Sequence, residues 1–128
     1  MKPKSAKAKG RRLQQHIRDL IIQVFNYDPE LVKCAIMGEK GVDVMALNTV
    51  LADPLHVAFE AKAVESFSLP ACWKQAETNA RAVGRRPVLV TRRNNSEALA
   101  VVTLEHLLTL MYLARKGDEW KLQNLMNY

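Results

Sequence analysis

Residues 55–64 read LHVAFEAKAV, an apolar run with the residue types and length of a β-strand, interrupted by Glu60 and Lys62. An extended strand sends alternate side chains to opposite faces. Glu60 and Lys62 therefore project to one side, roughly 6–7 Å apart. Upstream, GVDV (Gly41–Val44) sets an acid, Asp43, in a second apolar run. Opposite charges two residues apart in apolar surroundings suit a structural ion pair at a sheet edge, and they equally suit one half of a metal site. The flanking sequence has to decide.

Working outward, Leu13, Ile17, Leu20, Ile21 and Val24 repeat at helical spacing and predict a first helix from about Gly10 to Phe25. NYDPE breaks that pattern, and LVKCAIM (31–37) and VDVMALN (42–48) predict the first two strands. The 55–64 run is the third strand. A second helix is expected from Pro70 to about Val83, capped by Ser68, closed by Gly84, and buried along Trp73, Ala76, Ala80 and Val83. PVLVT (87–91) and EALAVVT (97–103) supply two more strands, and Leu104, Leu107, Leu108 and Met111 open a third helix running to about Arg115. The order is αβββαββα. The expected fold class is α/β, a mixed five-stranded sheet flanked by helices.

With 128 residues the chain fits one domain able to bury a core. We divide it into a basic flexible arm (1–9), a domain (10–116) and a tail (117–128). A net charge of +6 and a pI near 9.6 favour a polyanionic partner, most simply nucleic acid. The charge is uneven, for MKPKSAKAKGRR holds Lys2, Lys4, Lys7, Lys9, Arg11 and Arg12 without an acid. Arg81, Arg85, Arg86, Arg92 and Arg93 form a second basic group suited to phosphate. No apolar run approaches 18 residues, so no membrane partner is expected. Cys34 and Cys72 lie in apolar surroundings and read as free thiols of a reducing cytoplasm.

Asp43 and Glu60 fall on neighbouring predicted strands. Two converging carboxylates repel and raise a pKa unless a cation lies between them. Mg²⁺ meets that need, taking Asp43, Glu60 and the Ala61 carbonyl as ligands beside waters. Lys62 then orients or deprotonates a bound water, or neutralises charge developing on a phosphate. His16, His56 and His106 show no ligand spacing.

GVD at 41–43, EAK at 60–62 and WKQAE at 73–77 resemble the constellation of the PD-(D/E)XK nuclease superfamily. KAKGRRLQQHIRD, GVDV, FEAK, WKQAETNA and RPVLVTRRNNSEALAVVTLEHLL together resemble small phage-encoded proteins similar to archaeal Holliday-junction resolvases. The likeness spans about Lys9 to Leu110. It implies a restriction-endonuclease-like fold and a Mg²⁺- or Mn²⁺-dependent endonuclease of DNA recombination, cutting branched DNA as a homodimer in the host cytoplasm. By resemblance Asp43, Glu60 and Lys62 are catalytic, and Gln75 is the polar residue of the following helix. Lys7, Lys9, Arg11, Arg12, Arg85, Arg86, Arg92 and Arg93 would contact DNA, with Arg92 and Arg93 matching a basic turn of the phage group. Resolvases usually carry a glutamate on the first helix, where Gln14 and Gln15 stand here. Both are neutral. Glu39, in the turn before GVDV, is the acid that could substitute for that glutamate, though a solvated turn role suits it better. The rival reading is a catalytically silent DNA-binding module on the same fold.

Overall fold

The computed structural model describes residues 3–36 and 40–126, so Glu39 lies outside the described residues. The element order is α1 (Pro3–Phe25), β1 (Val32–Cys34), β2 (Val44–Ala46), β3 (Val57–Lys62), α2 (Leu69–Ala82), β4 (Arg86–Thr91), β5 (Leu99–Val101) and α3 (Leu104–Met126). A 3-10 turn at Pro29–Leu31 leads into β1. The fold is α/β, and the five strands lie in chain order. β1–β2, β2–β3 and β4–β5 are antiparallel, whereas β3 and β4 run parallel across the α2 crossover. The sheet is mixed, as the alternation of elements predicts.

Strand alternation divides the core between the two faces of the sheet. On one face Leu13, Ile17 and Ile21 of α1 pack against Val44, Val57, Val88 and Val90. On the other, Cys72 and Ala76 of α2 pack against Leu89. Each fully buried aliphatic side chain contributes about 1.5–3 kcal/mol through burial. The small stripe Cys72–Ala76–Ala80 lets α2 lie close to β3 and β4.

Helix boundaries differ from the sequence reading in three places. α1 begins at Pro3 rather than near Gly10, so residues 3–9, expected as an arm, form its first turns. Proline is tolerated there because a first-turn N–H has no helical acceptor. On α2, Cys72 takes the buried position, while Trp73 flanks the core and Val83 is exposed. α3 continues past Arg115 and through Gly117 to Met126. Lys116 bridges that glycine with an ion pair to Glu119 (3.2 Å) and a cation–π contact to Tyr112.

Both ends of α2 are chemically closed. Ser68 Oγ accepts the Ala71 N–H at 3.3 Å. At the other end Gly84 (φ +68°) donates to Arg81 O, and Arg85 N–H reaches Ala80 O at 3.0 Å, a Schellman closure. Among the described residues no helix is long and apolar enough to cross a membrane. Cys34 and Cys72 are free thiols.

Candidate active site

β2 and β3 share a single Cα pair, Val44 with Phe59, extended by the Asp43 N–H donating to Phe59 O at 3.2 Å. The backbone ladder then stops. The next β3 donor, Ala61 N–H, bonds instead to Oδ2 of Asp43 at 2.8 Å. The Asp43 carboxylate thus occupies the fork where the two strands separate. N–H and C=O of one antiparallel strand residue point to the same edge, so the Ala61 carbonyl faces this fork too.

Glu60 lies on the α2 face of β3 and is only 5% exposed. Its Oε2 accepts a hydrogen bond from Asn79 Nδ2 at 3.2 Å, and the same amide donates to Gly41 O at 3.2 Å. Asn79 therefore ties α2 to Glu60 and to the loop that delivers Asp43. Gly41 has φ +111°, a backbone state that other residues rarely adopt, and it turns the chain into Asp43.

The electrostatics follow from this packing. Burial is the largest influence on Glu60, with the Asp43 charge next. Together they push its pKa up to about 7, while Asn79 and Lys62 pull the other way. Asp43 is also raised, again mainly by burial, and is lowered by the Ala61 N–H and by Lys62. Asp43 raises the proton affinity of its neighbour, and the larger upward shift of the two falls on Glu60. Among the described residues no ion pair within 4.0 Å joins Lys62 to either acid. A closed salt-bridged trio, the structural alternative raised by the sequence, is not what these residues form.

Asp43, Glu60 and Lys62 thus come together, with the Ala61 backbone between them. Gln75 is an exposed residue one turn before Asn79, and the α2 side chain that reaches Glu60 is Asn79. The sequence signal for Asn79 was its i+4 position from Gln75, on the same helical face. Gln14 is neutral, and its backbone carbonyl accepts from Cys34 Sγ of β1 at 4.0 Å. Among the described residues no cluster of three or more His, Cys, Asp or Glu could hold a metal. Two carboxylates and a strand carbonyl still match the hard oxygen donors that Mg²⁺ or Mn²⁺ takes, and the raised proton affinity of both acids marks the burial and repulsion that a cation would relieve.

The basic residues divide. Lys9 and Arg12 of α1 meet Arg92 and Arg93 beyond the C-terminal end of β4. Lys7 and Arg11 are exposed elsewhere on α1. Arg85 and Arg86 sit at the opposite end of β4, about 17–20 Å away for a strand of that length. Arg85 points inward, donating to Ala46 O at 2.8 Å and Val57 O at 3.2 Å. Thr49 Oγ1 meets His56 Nδ1 at 2.7 Å, and His106 is buried, its pKa lowered by burial and by Arg86.

A scan against protein-family models, a search of curated proteins and a search of solved structures found no match.

Proposed function

We propose that this protein is a metal-dependent DNA endonuclease of PD-(D/E)XK type with a restriction-endonuclease-like fold, hydrolysing phosphodiester bonds at branched DNA such as Holliday junctions. The observation that carries this reading is the β2–β3 fork, where the Ala61 N–H holds the Asp43 carboxylate beside the buried Glu60, two residues before Lys62 on β3. The sequence resemblance supplies the preference for branched DNA. The basic charge of the chain suits a DNA partner.

Asp43, Glu60 and the Ala61 carbonyl are the residues that would hold Mg²⁺ or Mn²⁺. Such an ion, when bound, polarises the phosphate and acidifies water. The chain's own groups do the rest. The Ala61 N–H orients Asp43, and Asn79 holds Glu60 and releases its proton more readily. Lys62 places an ammonium group where negative charge grows on the phosphate during in-line attack.

A two-fold dimer suits a substrate with paired strands. It is supported by α3, whose Leu104, Leu107, Leu108, Met111 and Tyr112 are all exposed. An antiparallel α3 pair centred between Leu108 and Met111 sets Glu105 near Arg115 of the partner, so charge complements shape.

The silent-module reading is favoured by one observation, the neutral Gln14 and Gln15 on α1. One experiment separates the two. Wild type and Lys62→Ala are incubated with a labelled four-way junction and a matched linear duplex, with and without Mg²⁺ or Mn²⁺. Junction cleavage that requires metal and vanishes in the variant supports the endonuclease. Folded protein that binds DNA yet cuts neither substrate supports the silent module.

A further inference from the structure

The sequence groups the basic residues only by neighbourhood, but the fold gathers four of them around one depression. A pocket of about 290 Å³ is lined by Lys9 and Arg12 from α1 and by Arg92, Arg93, Asn95 and Ser96 after β4. No acid lines it. Among the described residues the side chains of Lys9, Arg12, Arg92 and Arg93 make no hydrogen bond or ion pair. The carboxylate of Glu65 accepts the N–H of Asn94, a further residue of the lining, at 2.6 Å and so holds the turn, without pairing with any of the four cations.

Four unpaired cations facing one small space repel one another, and an anion between them relieves that repulsion. Guanidinium forks match phosphate oxygens, and the Asn and Ser side chains add neutral donors. A nucleobase would require a stacking surface, but no aromatic residue lines the pocket. The chemistry selects phosphate over base.

The pocket also has a defined relation to the acidic fork. Its floor includes Ala63, the residue after Lys62, and Arg92 N–H donates to Lys62 O at 3.1 Å. Ala61 and Ala63 pack on the α1 face of the sheet, whereas Glu60 faces α2. Pocket and fork therefore flank the same end of β3 from opposite faces. A strand reaching both must cross that end of the sheet.

Building on the nuclease reading, we propose that this pocket seats one uncut backbone phosphate of the same strand whose scissile phosphate lies at Asp43 and Glu60. It is an anchor that sets where the strand enters. A single seat has a distinctive salt signature, because neutralising one phosphate releases about 0.9 counterion.

Two measurements on the full chain test it. In the first, binding of a labelled duplex is followed by fluorescence anisotropy across a salt series without divalent metal, so cleavage plays no part. Arg12→Ala/Arg92→Ala should weaken binding and flatten the slope of log K against log salt by about 0.9. An unchanged slope, or a loss of about 1.8, overturns the single seat. In the second, amide resonances are followed while inorganic phosphate is added at constant ionic strength. Saturable shifts confined to the pocket, and absent in the double variant and in Arg93→Ala, are expected. Shifts spread over the whole basic surface, or none, overturn the proposal. If both tests succeed but metal-dependent cleavage is never seen, the pocket stands and the nuclease reading falls. Metal-dependent cleavage without either signature keeps the nuclease and removes the phosphate seat.

Discussion

At Glu60, two effects that the sequence keeps separate act on one atom pair. Burial disfavours the carboxylate, and Asp43 adds a like charge, so the folded value of about 7 stands well above the ordinary 4.5. The protonated form favours the fold. That stability is complete below about pH 4.5 and is lost as pH rises through 7, to a total of at most about 3 kcal/mol. Glu60→Gln keeps the acceptor for Asn79 and removes the charge. It should leave stability at pH 4.5 nearly unchanged and raise it by about 1–3 kcal/mol at pH 8 in metal-free buffer, as measured by urea unfolding at both values. In the proposed metal-bound state a cation takes the proton's place, so Mg²⁺ should raise the Tm of wild type at pH 8 and leave that of the variant unmoved. Asn79→Ala makes the complementary case. Losing a donor that stabilises the carboxylate should raise the Glu60 pKa further and shift any pH–rate profile upward, with a stability cost of about 1–2 kcal/mol.

Element by element, the end of α2 shows how a helix terminus can brace a sheet. Gly84 supplies the left-handed residue of the Schellman closure, and that turn aims Arg85 at the carbonyls of Ala46 on β2 and Val57 on β3. Arg85 therefore links two strands at the end remote from the acidic fork. Arg85→Ala should cost about 1.5–3 kcal/mol, because it leaves two carbonyls without a charged donor, and it should leave the salt slope of DNA binding unaltered. Urea unfolding and anisotropy on the same preparation check both halves. Gly84→Ala should cost about 1–2 kcal/mol through the positive φ alone.

For the whole molecule, α3 is the outstanding feature. Its outer face carries Leu104, Leu108, Met111 and Tyr112 in solvent, while His106 is the residue buried against the body. A single chain has nothing further to place over that face among the described residues. In the proposed two-fold pairing, these side chains cover one another. Sedimentation of wild type should give a dimer, and Leu108→Glu/Met111→Glu should give a folded monomer whose own thermal unfolding stays cooperative. A wild-type monomer at micromolar concentration would exclude the pairing.

What could be read from the chain alone was local. Alternation in LHVAFEAKAV, helical spacing in α1 and the Ser68 and Gly84 signals depend on neighbours a few residues away, and the element order with its mixed sheet follows from them. The pairing of Asp43 with Glu60 was also legible, because neighbouring strands bring such residues together. The extent of α1 and α3 was not, since propensity is weak beside the long reach of a helix once nucleated. Asn79, the inward turn of Arg85 and the meeting of Lys9 and Arg12 with Arg92 and Arg93 depend on contacts between segments far apart in the chain and on which helix face meets the sheet. Sequence determined which residue types were available and how each short segment would fold. Only the tertiary structure decided which charges would be buried, which would be braced and which would be left facing one pocket, because those outcomes depend on packing between elements that no local pattern encodes.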